Sequence, residues 1–252
     1  MKKLISLVIL FIILCSLTYA QKIKLDVSAE YATVDMKDIN KQLEDLESLL
    51  QRVGLNTSLT KFSSGILVSL GLSYGITPNL SIGPKIGYLN CSPAEVYGET
   101  SIQLFGRPVF FKIKATGETS LIYPMIGAVY SATGADKINL TAGLYLGYSF
   151  ANFIIKREQE MPDGTSQKFE IPYEGKNIIA NISFGINYDI ISNVSVGVSF
   201  GYRTAKIDEL KATKDVPEAN VKKGDTLKDA DDKPVPADYS GINAGLKISY
   251  KF

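Results

Sequence analysis

From Ile242 to Phe252 the chain changes face at every residue. Ile242, Ala244, Leu246, Ile248, Tyr250 and Phe252 share one side, while Asn243, Gly245, Lys247, Ser249 and Lys251 share the other. Strand side chains alternate in this way, so the stretch is a β-strand with one apolar face and one small or polar face. The same grammar returns at Ile23 to Tyr31, Ile66 to Ile76 and Ile138 to Phe150. Gly71 to Tyr88 and Gly185 to Tyr202 agree at eight of eighteen positions, the turn asparagines Asn79 and Asn193 among them. Two hairpins in one register place the turns at Thr77–Asn79 and Ile191–Asn193 on the same rim of the molecule.

The N-terminus has the parts of a secretory signal peptide. Lys2 and Lys3 precede an apolar run from Leu4 to Leu17, and Thr18-Tyr19-Ala20 supplies a cleavage site, so residues 1–20 are read as signal and 21–252 as one mature domain. Cys91 is then the only cysteine, read as an inert loop thiol. The chain contains no histidine, which removes the usual general base, zinc ligand and Ser-His or Cys-His nucleophile systems. A net charge of +1 gives no electrostatic case for nucleic acid. Asp225, Asp229, Asp231 and Asp232 lack the spacing of a calcium loop. No catalytic residue, metal or cofactor is expected.

Two connections stand out. Ile39, Leu43, Leu46, Leu50 and Val53 recur at helical spacing. Asp35 or Asp38 can start that helix and Gly54 can end it. Its apolar stripe is expected to pack on the rim of its own scaffold rather than on a partner. Residues 206–238 mix charge and proline with little apolar content and read as a long mobile loop. Pro162-Asp163-Gly164 reads as a hairpin tip, Gly117-Glu118 as a turn, and Pro84 as a point where a strand bulges or loses pairing.

A terminal strand that ends in Phe252, with Tyr250 two positions earlier, resembles the closing strand of bacterial outer-membrane β-barrels. Tyr123 to Tyr130 (YPMIGAVY) is similar to a strand of the small OmpA- and OmpW-like barrels, with Tyr123 and Pro124 in reversed order and Val129 in place of a glycine. The resemblance implies a closed antiparallel up-and-down transmembrane barrel in the bacterial outer membrane. It also implies that Leu246, Ile248, Tyr250 and Phe252 act as the signal read by the insertion machinery. The faces agree with that orientation. Bulky residues tipped by Tyr74, Tyr88, Tyr148, Tyr188, Tyr202 and Tyr250 suit lipid and its interfaces, while Gly and Ser suit a narrow interior.

Both ends on one side require an even number of strands. Ten are favoured, with Asn152 to Glu160 as a separate strand after a turn near Ala151; eight is the alternative. The helix then lies in the first extracellular loop. So narrow a barrel is filled by its own side chains, and its inward charges need partners. Asp26, Glu30, Lys85, Lys247 and Lys251 form the expected lumen network, with Asp26 and Lys247 within reach across the closing seam. The expected role is structural or that of a narrow pore, without catalysis. The alternative is surface binding or adhesion through 35–61 and 207–238, toward an extracellular ligand. Outer-membrane lipid and the insertion machinery are the expected partners of a monomer.

Overall fold

The computed structural model describes residues 23–104, 107–134, 137–160 and 165–252, with backbone alone at 102–104 and 107–109. The strands, in chain order, are β1 (Ile23–Thr33), β2 (Asn56–Thr60), β3 (Ser64–Gly75), β4 (Leu80–Cys91), β5 (Ala94–Leu104), β6 (Arg107–Thr133) and β7 (Ile138–Glu160). There follow β8 (Ser166–Ile191), β9 (Val194–Thr204), β10 (Lys206–Ile207), β11 (Lys211–Ala212), β12 (Ala237–Asp238) and β13 (Gly241–Lys251). An α-helix, α1 (Lys37–Arg52), lies between β1 and β2.

Antiparallel pairing runs β1–β3–β4–β6–β7–β8–β9–β13 and returns to β1, so eight strands close a barrel. The favoured count of ten is therefore corrected to eight. Asn152 to Glu160 is not a separate strand. It continues β7, paired without a break in register to β8 from Asn152↔Glu174 to Glu160↔Ser166. Gly117 and Glu118 likewise lie inside β6 and form no turn.

The misreading has a physical cause. Along β7 the apolar residues move from one face to the other: Leu144, Leu146, Tyr148 and Phe150 point outward, whereas Ala151 and Phe153 are buried within. Such an inversion normally signals a turn or a bulge. Here the surroundings invert instead. Below the change the outside is apolar and the inside is a crowded lumen. Above it the outside is polar and the inside is a hydrophobic core. In β6 and β8 the same change falls between Ile122 and Ser120 and between Ile178 and Lys176.

Above the change, β6 to β8 rise as a curved sheet widened by β5, β2 and the short β11. The N-terminal fourteen or so residues of β6 extend it by roughly 45 Å along the strand, at ~3.3 Å per residue. Its outer face carries cross-strand ion pairs: Lys114–Glu95 at 2.8 Å, Lys156–Glu118 at 2.5 Å and Lys168–Glu158 at 3.1 Å. Its inner face packs against α1 through Leu50, Leu55, Val96 and Ile113. No side chain caps the N-terminus of α1, so neither Asp35 nor Asp38 plays the expected part; Asp35 instead pairs with Lys37 at 3.0 Å. Gly54, at φ +85°, ends the helix in the left-handed conformation that glycine adopts without strain.

Thr77–Asn79, Ser192–Asn193 and the join between β6 and β7, where Gly134 N–H donates to the Ile138 carbonyl, all lie at the end of the barrel that holds Ile23 and Phe252. The two repeated hairpins thus do turn on one rim. The β3–β4 ladder keeps its register across Pro84 but loses its pairs beside that residue, because proline has no N–H to donate. The hairpin tip read at Pro162–Gly164 and the signal segment 1–20 lie outside the described residues.

Candidate functional site

The barrel wall decides what can be inside. Leu246, Ile248, Tyr250 and Phe252 are 70, 56, 41 and 38% exposed and face outward, so the apolar side of every alternating strand meets the surroundings. Tyr74, Tyr130, Tyr188 and Tyr250 ring the turn end, and Tyr31, Tyr88, Tyr148 and Tyr202 ring the other. Ile66 and Tyr74 lie about 26 Å apart along β3, at ~3.3 Å per residue. At the usual barrel tilt that is roughly 20 Å of height, close to the belt that a bilayer covers. A closed ladder pairs strand backbone groups with one another in hydrocarbon, with gaps here only beside Pro84 and Pro124 among the described pairs of β3–β4 and β6–β7.

Inside, the wall is lined by Ser28, Ser69, Thr141, Asn181, Ser199 and Ser249, all buried. Among them sit the charges read from the sequence. Asp26 accepts a hydrogen bond from Ser249 and lies 3.3 Å from Lys24 Nζ and 3.5 Å from Lys247 Nζ. The closing register explains the reach: Asp26 pairs with Ser249 across the seam, so Lys247 on β13 is its diagonal neighbour. Glu30 accepts from Ser199 Oγ at 2.9 Å and from the Asn243 amide. Lys85 makes no ion pair among the described residues; its ammonium lies 5.0 Å from the centroid of the Tyr145 ring. Lys251 meets Asp189 at 3.4 Å.

Three members were missed. Lys24, Asp189 and Arg203 all fall on inward positions of their strands, so parity alone could have found them. Arg203 is fully buried. Its Nε donates to the Tyr239 carbonyl at 2.8 Å and one terminal nitrogen donates to the Thr33 carbonyl at 3.1 Å.

Those bonds tie the barrel to the segment expected to be a mobile loop. Residues 205–239 are instead folded: Ala205, Ile207, Leu210, Val216, Val235 and Tyr239 are buried, and β10 pairs with β12. A low average apolar content hid the few side chains that matter. Spread over a surface loop they could not form a core, but the tall sheet and the barrel mouth supply the other side of one. Tyr239 OH bonds Thr119 Oγ1, and burial pushes its phenol above the usual range. Leu121, Tyr123, Ile179, Leu89, Phe62 and Phe153 complete this core, with the Phe62 and Phe153 ring centroids 5.9 Å apart. Cys91 belongs to it as well, buried at the end of β4 rather than in a loop. The segment caps the outer mouth.

An eight-stranded barrel with a lipid-facing belt, two aromatic rings and a small-residue interior is a membrane-spanning β-barrel of the small outer-membrane type. No protein-family model matches the chain, and no curated protein does. Among solved structures it is similar to Neisserial surface protein A, at 11% identity over 91% of this chain and 97% of that one, with a TM-score of 0.44. It is similar also to the attachment invasion locus protein of Yersinia pestis (10%, covering 90% and 98%, TM-score 0.35). A third likeness is to the outer membrane protease from Escherichia coli (12%, covering 92% and 97%, TM-score 0.32). The closed pairing and the belt, not these distant likenesses, define the class.

Proposed function

We propose that the protein is a sealed, non-catalytic barrel of a bacterial outer membrane. On this reading residues 1–20 direct export, and the outward side chains of Leu246, Ile248, Tyr250 and Phe252 engage the insertion machinery. The barrel then holds a rigid sheet-and-helix head above the bilayer as a monomer. One observation favours a structural role over a narrow pore: Arg203, Tyr123, Leu121, Ile179, Leu210 and Tyr239 fill the outer half of the lumen and its mouth, each 1% exposed or less. Below them Asp26, Lys247, Glu30 and Lys85 line a mid-lumen cavity of only about 40 Å³. Side chains packed to this extent leave no hydrated route for an ion. The test is conductance of the purified mature protein in planar bilayers. Current at baseline is expected, and reproducible unitary steps from the unaltered protein would refute the sealed reading.

A second reading, adhesion to an extracellular ligand through 35–61 and 207–238, has one observation in its favour. Leu49 and Val53 are 58 and 66% exposed, Leu49 on the free side of α1 and Val53 at its C-cap. Substituting both with Glu should abolish adherence of cells displaying the protein; undiminished adherence removes the helix from that account.

A further inference from the structure

The turn end of the lumen is open where the outer end is capped. It forms a cup of about 500 Å³ within the eight strands, its inner wall set by Lys24, Lys251, Asn139, Thr141, Asn187 and Ser195. This volume is within the range of small-molecule sites. Two features of the cup are unusual for a space meant only for water.

The first is a like-charge pair. Lys24 and Lys251 are direct cross-strand partners on β1 and β13, and both line the cup. Equal charges placed opposite each other on one face of a sheet repel. The local carboxylates do not balance them. Among the described residues, three ammonium groups here (Lys24, Lys247 and Lys251) share two carboxylates, Asp26 and Asp189. Counted over these side chains, one positive charge is left over, in a confined space where it is screened less than on an open surface.

The second feature is an acceptor without a donor. Asn187 is 2% exposed and lines the cup, yet its Oδ1 has no hydrogen-bond partner; Oδ1 of the adjacent Asp189 is unpartnered too. Buried polar atoms are seldom left so. The cup therefore offers a like-charge lysine pair, several hydroxyl donors and one lining acceptor, Asn187 Oδ1, without a donor.

We propose that the cup binds a small phosphate-type oxyanion from the side of the chain termini. Hydrogen phosphate and phosphate monoesters carry both the negative oxygens that two lysines require and, when singly protonated, an O–H for a lone acceptor. Lys24 and Lys251 hold the anion between β1 and β13 at the seam where the barrel closes. Asn139 and Thr141 reach it from the opposite wall and Ser195 from β9 beside β13, and its body occupies the volume that a bare lysine pair leaves unfilled.

The test is isothermal titration of the detergent-solubilised mature protein with inorganic phosphate and, separately, with glycerol phosphate, against sodium chloride at matched ionic strength. Saturable binding of either phosphate is expected. Binding of the free ion alone assigns the cup to inorganic phosphate, and binding of the ester assigns it to small phosphorylated solutes. Lys24→Gln and Lys251→Gln should each weaken binding about tenfold, the worth of one charge-assisted hydrogen bond. Lys156→Gln, on the outer sheet, should leave it unchanged. Circular dichroism and heat-dependent electrophoretic mobility report whether each variant keeps its barrel, and Lys24→Gln retains the Asp26–Lys247 pair as a safeguard. Heats that follow ionic strength alone, or folded variants that bind as the unaltered protein does, would overturn the proposal.

Discussion

Gly175 offers a direct test of whether residues 205–239 are a folded cap. It lies on β8 where the sheet meets the cap. A Cβ there would overlap Ile207 Cγ2, lie 2.7 Å from the Glu209 carbonyl oxygen and 3.1 Å from Leu210 Cδ2. A methyl group next to a flexible side-chain end is tolerated, but next to backbone oxygen it forces the cap to shift. Overpacking of this kind costs about 1–3 kcal/mol. If cap opening is local, Gly175→Ala should speed amide exchange in 205–239 by roughly 5- to 150-fold, at 1.4 kcal/mol per tenfold. Exchange in the belt strands β3 and β4 should not change. Gly71→Ala is the control, since its nearest neighbour would be Asp26 Cβ at an ordinary 3.8 Å. Ile207→Ala loosens the cap in its own right and removes the Cγ2 overlap but not the contact with the Glu209 carbonyl oxygen, so the two substitutions together should cost only a little less than their sum. Exchange of 205–239 in detergent, followed by mass spectrometry, decides it. Rates within twofold of the unaltered protein would show that the segment is not docked on Gly175.

Three further outcomes are expected. Leu246→Arg, the most exposed belt position on β13, should lower barrel stability by about 2–4 kcal/mol, measured by denaturant titration in lipid vesicles. Asp26→Ala strands Lys24 and Lys247 in the lumen and should cost about 3–5 kcal/mol, whereas Glu95→Ala breaks an exposed pair with Lys114 and should cost under about 1 kcal/mol. The raised ionisation of Tyr239 makes the cap pH-sensitive. Its phenol is held neutral when folded, so that contribution is whole below the ordinary value of 10.0 and is lost as pH rises through the higher folded value. Protection of 205–239, measured against the base-catalysed intrinsic exchange rate, should therefore fall above pH 10 in the unaltered protein. In Tyr239→Phe that fall should be absent.

Much of the candidate site could be read from parity. Asp26, Glu30, Lys85, Lys247 and Lys251 all alternate with apolar residues, and their positions line the lumen. Asp26 and Lys247 could be paired because closure makes neighbours of the first and last strands. Asp189 and Arg203 obey the same parity. Their roles depend on the register of β8 and β9 against elements far away in the chain, and no local pattern carries that information.

Alternation by itself determined that this chain forms antiparallel strands with one bulky apolar face. The absence of histidine excluded mechanisms that need an imidazole. The number of strands and the state of the last long segment were left to the tertiary structure, for a common reason. A change of phase within a strand is ambiguous: the chain has either turned, or stayed straight while its surroundings exchanged places. Ala151 and Phe153 have no means of saying which, because the answer depends on α1 and residues 205–239 arriving to fill the inside of the sheet. Those residues in turn look too polar to fold until the sheet is there. Each supplies the apolar surface that the other lacks, and hydrophobic burial depends on both surfaces at once.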